Sequence, residues 1–256
     1  MGLKARLSKR VANSLRDRNI SISREYGADL SPETVATMKF VRPYTMTTSA
    51  RIEAMISATR HVVENDIPGA FVESGVWMGG SIMAAARTLV ELGATDRDLY
   101  LYDTFEGLPA PGEHDGILNS DQSIADMYAE AQAASGNAFL QAPVDVVRAN
   151  VARTGYPADR IHMVVGLVQD TIPTTAPDTV ALLRLDTDWY ESSKVEMETL
   201  FPRLSPHGIL IIDDYGYLEG PRKAVDDYFA TYPDPVFLHR IDRSGRLVVK
   251  PQPSRL

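Results

Sequence analysis

The 256-residue chain contains no cysteine. That excludes disulfides, thiolate zinc sites and cysteine nucleophiles, and suits a reducing compartment, so a cytoplasmic location is the expectation. Positive charge is in deficit: 26 Lys and Arg against 34 Asp and Glu give a formal net charge of −8. A general nucleic-acid binder needs a basic surface, so nucleic acid is not an expected partner. No segment approaches the roughly 18–20 consecutive apolar residues of a membrane-spanning helix, and no membrane span is expected. Repeats and low-complexity blocks are also missing.

What is present is a composition, 44% hydrophobic and 23% charged, that fits one well-packed domain with a small appendage. The opening "MGLKARLSKRVANSLRDRN" is basic and lacks the apolar stretch of a signal peptide. Leu3, Leu7, Val11 and Leu15 recur every four residues, which reads as an amphipathic helix. Such a stripe packs on the parent domain or a partner subunit, with a membrane-surface seat as the alternative. Residues 1–43 are read as an N-terminal helical arm, for dimerisation or as a lid, and 44–256 as the main domain. A homodimer is the expected assembly.

Along the main domain, apolar and β-branched runs alternate with helical patterns. The runs are "GAFVESGV", "DLYLYDTF", "IHMVVGLV", "VALLRLDTD" and "GILIIDDY", with late ones at "PVFLHRID" and "GRLVVKP". Between them lie "SIMAAARTLVELG", "APVDVVRANVARTG", "YESSKVEMETLFPRL" and "GPRKAVDDYFATY", and ahead of them "TTSARIEAMISATRHVVENDIPG", which Thr47, Thr48 or Ser49 could cap. This order predicts an α/β domain with a mainly parallel sheet covered by helices on both faces. Residues 106–121, rich in Gly, Pro and Asp, read as a long binding loop or lid.

Ligands of open α/β sheets bind beyond the carboxyl ends of the strands. Here those ends carry Glu73 and Gly75, Asp103, Asp186 and Asp188, and Asp213 and Asp214, an acidic rim. The turn "VESGVWMGGS" brings Gly75, Gly79 and Gly80 in a G-x-x-x-G-G pattern, which lets backbone approach a ligand and offers helix N–H groups to an anion. Asp103 follows Gly75 by 28 positions, where an acid can take both ribose hydroxyls; a turn-capping role is the bland alternative. An adenosine joined to an amino acid, as in S-adenosylmethionine, suits this set. Ser81 at the helix start is a candidate for a carboxylate or a cap. Trp77 lines the cofactor site or fills core, Gln169 and Asp170 stand where adenine could be met, and Met46 and Thr47, ahead of the helix at 48–64, are candidates to touch cofactor or substrate.

Asp186 and Asp188 are two apart, so they share a strand face, and like charges held together call for a proton or a cation. Asp213 and Asp214 follow Asp186 by 27 and 28 positions, one crossover helix later. Three carboxylates converging there, without Cys or a His pair, point to Mg²⁺, Mn²⁺ or Ca²⁺ rather than zinc. The alternative is that "DD" caps a turn and Asp188 faces solvent.

Taken in order, "VESGVWMGGS", "YDTFEGLP", "LLRLDTDWYESS" and "RLSPHGILIIDDYG" resemble the motifs of the macrocin O-methyltransferase (TylF-like) family, from about Tyr44 to about Tyr228. The resemblance implies a Rossmann-like class I methyltransferase fold, with a seven-stranded sheet ending in an antiparallel strand. It implies S-adenosylmethionine as methyl donor and Mg²⁺ on Asp186, Asp213 and Asp214. Asp188 is implied as general base, and a sugar hydroxyl of a small-molecule glycoside as acceptor. Met78 stands where the family usually has Arg or Lys, and His207 replaces a glycine. His114, in the lid loop, is a lesser candidate base; His61, His162, His207 and His239 show no ligand spacing. The competing readings are a metal-dependent glycosyltransferase using Asp186-Thr187-Asp188, a phosphatase of the haloacid-dehalogenase type, and a non-catalytic nucleotide- or sugar-binding protein. The first two leave the glycine turn with Asp103 unexplained, and the third is opposed by the uninterrupted acid set.

Overall fold

The computed structural model describes residues 26–136 and 138–252, so the Leu3–Leu15 stripe lies outside the described residues. The chain divides into two compact units, 1–36 and 37–256. In the first, the described residues form a turn and the opening of helix α1 (Pro32–Val41), where Ser31 Oγ accepts the Thr34 N–H at 3.1 Å as an N-cap.

The second unit carries α2 (Ser49–Glu64), β1 (Ala70–Ser74), α3 (Gly80–Glu91), β2 (Leu99–Asp103), α4 (Ile124–Ser135), α5 (Val144–Ala152), β3 (Ile161–Val165) and α6 (Val168–Thr175). There follow β4 (Val180–Leu185), α7 (Tyr190–Thr199), β5 (Leu204–Ile212), α8 (Glu219–Thr231), β6 (His239–Arg240) and β7 (Arg246–Val249). One seven-stranded sheet runs in the order β3-β2-β1-β4-β5-β7-β6. The first five are parallel, and β7 is antiparallel to both β5 and β6. The chain leaves β1 toward one edge and returns to β4 on β1's other side. That reversal opens a crevice at the carboxyl ends of β1 and β4, where such folds bind ligands.

Burial explains the arrangement. Every residue of β1 and β4 is buried, as expected for parallel strands covered on two faces. Helix α2 buries Ile52, Met55, Ile56, Thr59 and Val62, a stripe at helical spacing, and Thr48 caps it by accepting the Arg51 N–H. A core of Val72, Leu183, Leu210, Met197 and Phe201 joins β1, β4, β5 and α7. Phe201 meets Tyr228, Phe229 and Tyr232 edge-on, with centroids 5.2–5.5 Å apart.

Some elements differ from the sequence reading. The run "IHMVVGLV" stops as a strand at Val165. Gly166 turns the chain at a φ of 135°, and α6 begins at Val168. In "PVFLHRID" only His239 and Arg240 pair, on an exposed edge. Helix α4 was not foreseen, because among its residues only Ile124 is buried.

His207 lies within β5 at a φ of 65°, the left-handed region that side chains with a Cβ avoid. Its backbone is pinned there: the His207 N–H donates to Lys250 O at 2.9 Å, and its carbonyl meets His61 Nε2 at 3.1 Å. His207→Gly relieves the strain at some cost in unfolded-chain entropy, for a net gain of about 0.5–1 kcal/mol. The expected result is a melting temperature about 2 °C higher. An unchanged or lower value would show that the turn carries no strain.

Candidate active site

The carboxyl ends of β1, β2, β4 and β5 surround a cavity of about 450 Å³. Its first side is the turn after β1. Gly75 has a φ of 77°, and a Cβ there would stand 1.8 Å from the Asp186 carbonyl oxygen, so only glycine fits. Asp103, the last residue of β2, organises this turn. Its Oδ2 accepts the N–H groups of Val76 (2.7 Å) and Trp77 (3.0 Å), and its Oδ1 accepts that of Phe105 (2.7 Å). A carboxylate has about four lone-pair sites, so Asp103 keeps capacity for a ligand hydroxyl. The turn-binding role read from the sequence as its alternative is thus present, and Asp103 also lines the cavity.

Glu73, Gly75, Trp77, Ser81, Gln169, Met46 and Thr47 line the same cavity. Gly79 does not: at a φ of 90° it precedes α3, and a Cβ on it would face Val147 and Val151 of α5. Glu73 is buried beside Arg184, which donates to its Oε1 at 2.6 Å, while its Oε2 finds no partner among the described residues. Burial pushes the Glu73 carboxyl up to about 7 against the pull of that guanidinium.

The second side is the acid cluster. Asp186, Asp188 and Asp214 each bring a carboxylate oxygen to within 4.8 Å of the others. Burial, joined by the charges of its neighbours, raises the carboxyls of both Asp186 and Asp188; Arg184 opposes this at Asp186. Asp188 has a φ of 66° and sits in a three-residue turn closed by the Trp189 N–H donating to Thr187 O at 2.9 Å. Asp213 stands differently. It is buried, and its two oxygens pair with Arg51 and Arg184. The structure therefore gathers Asp188 with Asp186 and Asp214, and sets Asp213 on two guanidiniums.

The third side is the loop after β2. Leu108, Pro109, Ala110, Gly112 and Asp115 line the cavity. The loop is tied down: Trp189 Nε1 donates to Pro109 O at 2.9 Å, and Asp115 accepts the Tyr190 N–H at 2.8 Å. Gly220 makes room, since a Cβ there would be 2.0 Å from the Asp115 Oδ1. Ile117, Ile124, Trp189 and Leu218 form a small separate core beneath the loop. His114 packs edge-on against Tyr190, with centroids 4.6 Å apart, and is not among the cavity's lining residues.

Arg184, Arg51 and Asp115 are site residues that the sequence reading missed. A signal for Arg184 was available. A charged residue inside a fully buried strand, two positions before Asp186, must share that acid's face.

The topology and the cavity at its switch point define a Rossmann-like methyltransferase. The family profile described as macrocin O-methyltransferase (TylF) matches residues 5–248, and the chain belongs to that family. The chain is 36% identical over 204 residues to the 8-demethyl-8-(2,3-dimethoxy-alpha-L-rhamnosyl)-tetracenomycin-C 4'-O-methyltransferase of Streptomyces olivaceus, covering 79% of this chain and 74% of that one. It is 33% identical over 202 residues to the demethyldecarbamoylnovobiocin O-methyltransferase of Streptomyces niveus, again covering 79% and 74%. Among solved structures, the O-methyltransferase NovP superposes with a TM-score of 0.71 at 31% identity, over 82% of this chain and 83% of that one. The protein is an O-methyltransferase. No described helix is long and apolar enough to cross a membrane.

Raised carboxyls give the metal-free protein an unusual pH dependence. Glu73 (about 7), Glu196 (about 8), Asp186 and Asp188 hold protons in the native state at pH values where the unfolded chain has lost them. Their stabilising contribution is complete below pH 4 and is lost as pH rises toward 8. The groups held low, Asp98 and Asp242 (about 2), titrate below this window. Thermal melts in chelator should therefore show a falling melting temperature from pH 5 to pH 8. A rising value would contradict the protonated cluster.

Proposed function

We propose that the protein transfers a methyl group from S-adenosylmethionine to a sugar hydroxyl of a glycosylated natural product, with Mg²⁺ at the acid cluster. The observation that carries this reading is the meeting, in one cavity, of the Gly75 turn and Asp103 with the carboxylates of Asp186, Asp188 and Asp214. The relatives support the acceptor class, because their names specify methylation of a rhamnosyl tetracenomycin and of a novobiocin precursor.

The residues fit both groups. The turn that excludes any Cβ at Gly75 lets a ligand lie against backbone, and Asp103 retains acceptor capacity for ribose. Glu73 Oε2, buried and unpartnered among the described residues, suits the amino group of the methionine end. Ser81 and the start of α3 suit its carboxylate. Met46, Thr47, Trp77 and Gln169 close around the cofactor, while Gly79 shapes the turn. For the cation, the donors are hard carboxylate oxygens, and their protons are held by burial and mutual repulsion that a divalent ion would replace. Asp186, Asp213 and Asp214 would hold it, with Asp213 exchanging a guanidinium for the ion. Bound there, Mg²⁺ supplies charge that favours the developing alkoxide.

Asp188 takes the proton from the acceptor hydroxyl, its basicity supported by burial and by neighbouring acids. The hydroxyl oxygen bonds to the methyl carbon as the carbon–sulfur bond breaks, and S-adenosylhomocysteine leaves. The loop carrying Leu108 to Asp115 covers the acceptor side and keeps water from the reacting atoms.

The test is methyl transfer to a panel made of the compounds in the relatives' names: the rhamnosyl tetracenomycin, demethyldecarbamoylnovobiocin and mycinamicin III. Turnover of a panel member should require S-adenosylmethionine and vanish with chelator. Asp188→Asn should lower kcat by about 10²–10⁴-fold while S-adenosylhomocysteine still binds. Full activity in that variant would remove the base, and full activity after chelation would remove the cation.

A further inference from the structure

Glu196 has no task in this chemistry, yet it is completely buried in α7. A polar group in such a place is costly unless its hydrogen bonds compensate. Its Oε1 accepts the Thr187 hydroxyl at 3.0 Å, and its carboxyl lies beside the Ser74 hydroxyl, which also approaches the Arg184 carbonyl at 3.4 Å. Both partners stand at strand ends beside the cavity, Ser74 as the last residue of β1 and Thr187 two residues past the end of β4. Ser74 closes β1 just before Gly75, and Thr187 separates Asp186 from Asp188. Burial lifts the Glu196 carboxyl to about 8, so at neutral pH it holds the loop without adding charge beneath the acids.

Asp188 needs such support. Its left-handed three-residue turn is a strained conformation, which persists only where the surroundings hold it. The Thr187 carbonyl accepts the Trp189 N–H at 2.9 Å and, more loosely, the Ser192 hydroxyl at 3.4 Å, both from the helix side; the handle that reaches deeper into the core is the Thr187 side chain. That side chain is bound to Glu196.

We propose that Glu196 is a positioning residue which, through the Thr187 hydroxyl, holds the Asp188 turn against the cofactor-facing end of β1. It does not line the cavity. A residue that merely filled core could be leucine, whereas this role needs an acceptor oxygen at Oε1. The proposal rests on Asp188 as the base, and its test is chosen to separate the two.

Deuterium exchange of the peptide spanning Asp186–Trp189 reads the turn directly and needs no acceptor. Exchange should be about tenfold faster in Glu196→Leu and in Thr187→Val, and near wild type in Glu196→Gln. In turnover of the active panel compound, Leu and Val should each lower kcat about tenfold, with the KM for S-adenosylmethionine within about twofold. The double variant should be no worse than the poorer single one, because both break one link. Exchange and kcat at wild-type level in Thr187→Val, or losses that multiply in the double variant, would overturn the proposal. Should Glu196→Leu fail to fold, Thr187→Val against Thr187→Ser decides: loss in the first with recovery in the second supports it, and equal behaviour overturns it. A wild type that methylates no panel member counts against the acceptor reading, while the exchange result still judges the role of Glu196.

Discussion

A single buried guanidinium organises the site. Arg184, inside β4, donates to Glu73 of β1 at 2.6 Å and to Asp186 at 2.8 Å, and pairs with Asp213 at the end of β5. Removing such a charge from water costs several kcal/mol, recovered only when partners are close and well aimed. Those partners stand on or just past three adjacent strands, so the register β1-β4-β5 and the positions of these three rim acids are set together. Loss of Arg184 would leave Glu73 and Asp213 buried without this counter-charge, and the sheet edge would lose its reason to gather acids.

From that hub the charges extend outward in a fixed order. Arg51 of α2 pairs with Asp213 and reaches Asp242 at 2.9 Å, and Asp242 also accepts the Thr48 hydroxyl at 2.6 Å. The start of α2, which carries the Met46–Thr47 segment into the cavity, is thereby fastened to the turn before β7. On the other side, Asp115 and Trp189 fasten the loop after β2 to the start of α7, immediately after Asp188. The turn after β1 is braced by Asp103, the acid cluster by Arg184 and Arg51, and the loop after β2 by the start of α7, which suits a reaction whose rate depends on alignment.

Much of this was legible in the sequence, for identifiable reasons. Parallel strands buried on both faces announce themselves as apolar runs, and the residues that end them had to face the switch-point crevice. That logic found Glu73, Asp103, Asp186 and Asp214 at the cavity. It failed where a side chain's direction depends on a distant partner. Asp213 lines the cavity beside Asp214, just past the end of β5, but nothing in the sequence signals the two arginines it pairs with there. Arg184 lies inside a run legible only as a buried strand, and Glu196 in a helix whose buried face is mostly small and polar, where its acid does not stand out. Helix α6 was hidden because Val168 continues an apolar run across the Gly166 turn, and Pro173 sits inside it.

The central claim is that one cavity joins a nucleoside-binding turn to a divalent-cation site. Crystals grown with S-adenosylhomocysteine and Mn²⁺, measured at the manganese absorption edge, test it directly. The account predicts a manganese peak held by Asp186 and Asp214, with Asp213 turned from a guanidinium, and the ribose on Asp103. A cavity holding the nucleoside with no metal at these aspartates, or a metal bound elsewhere, would contradict it.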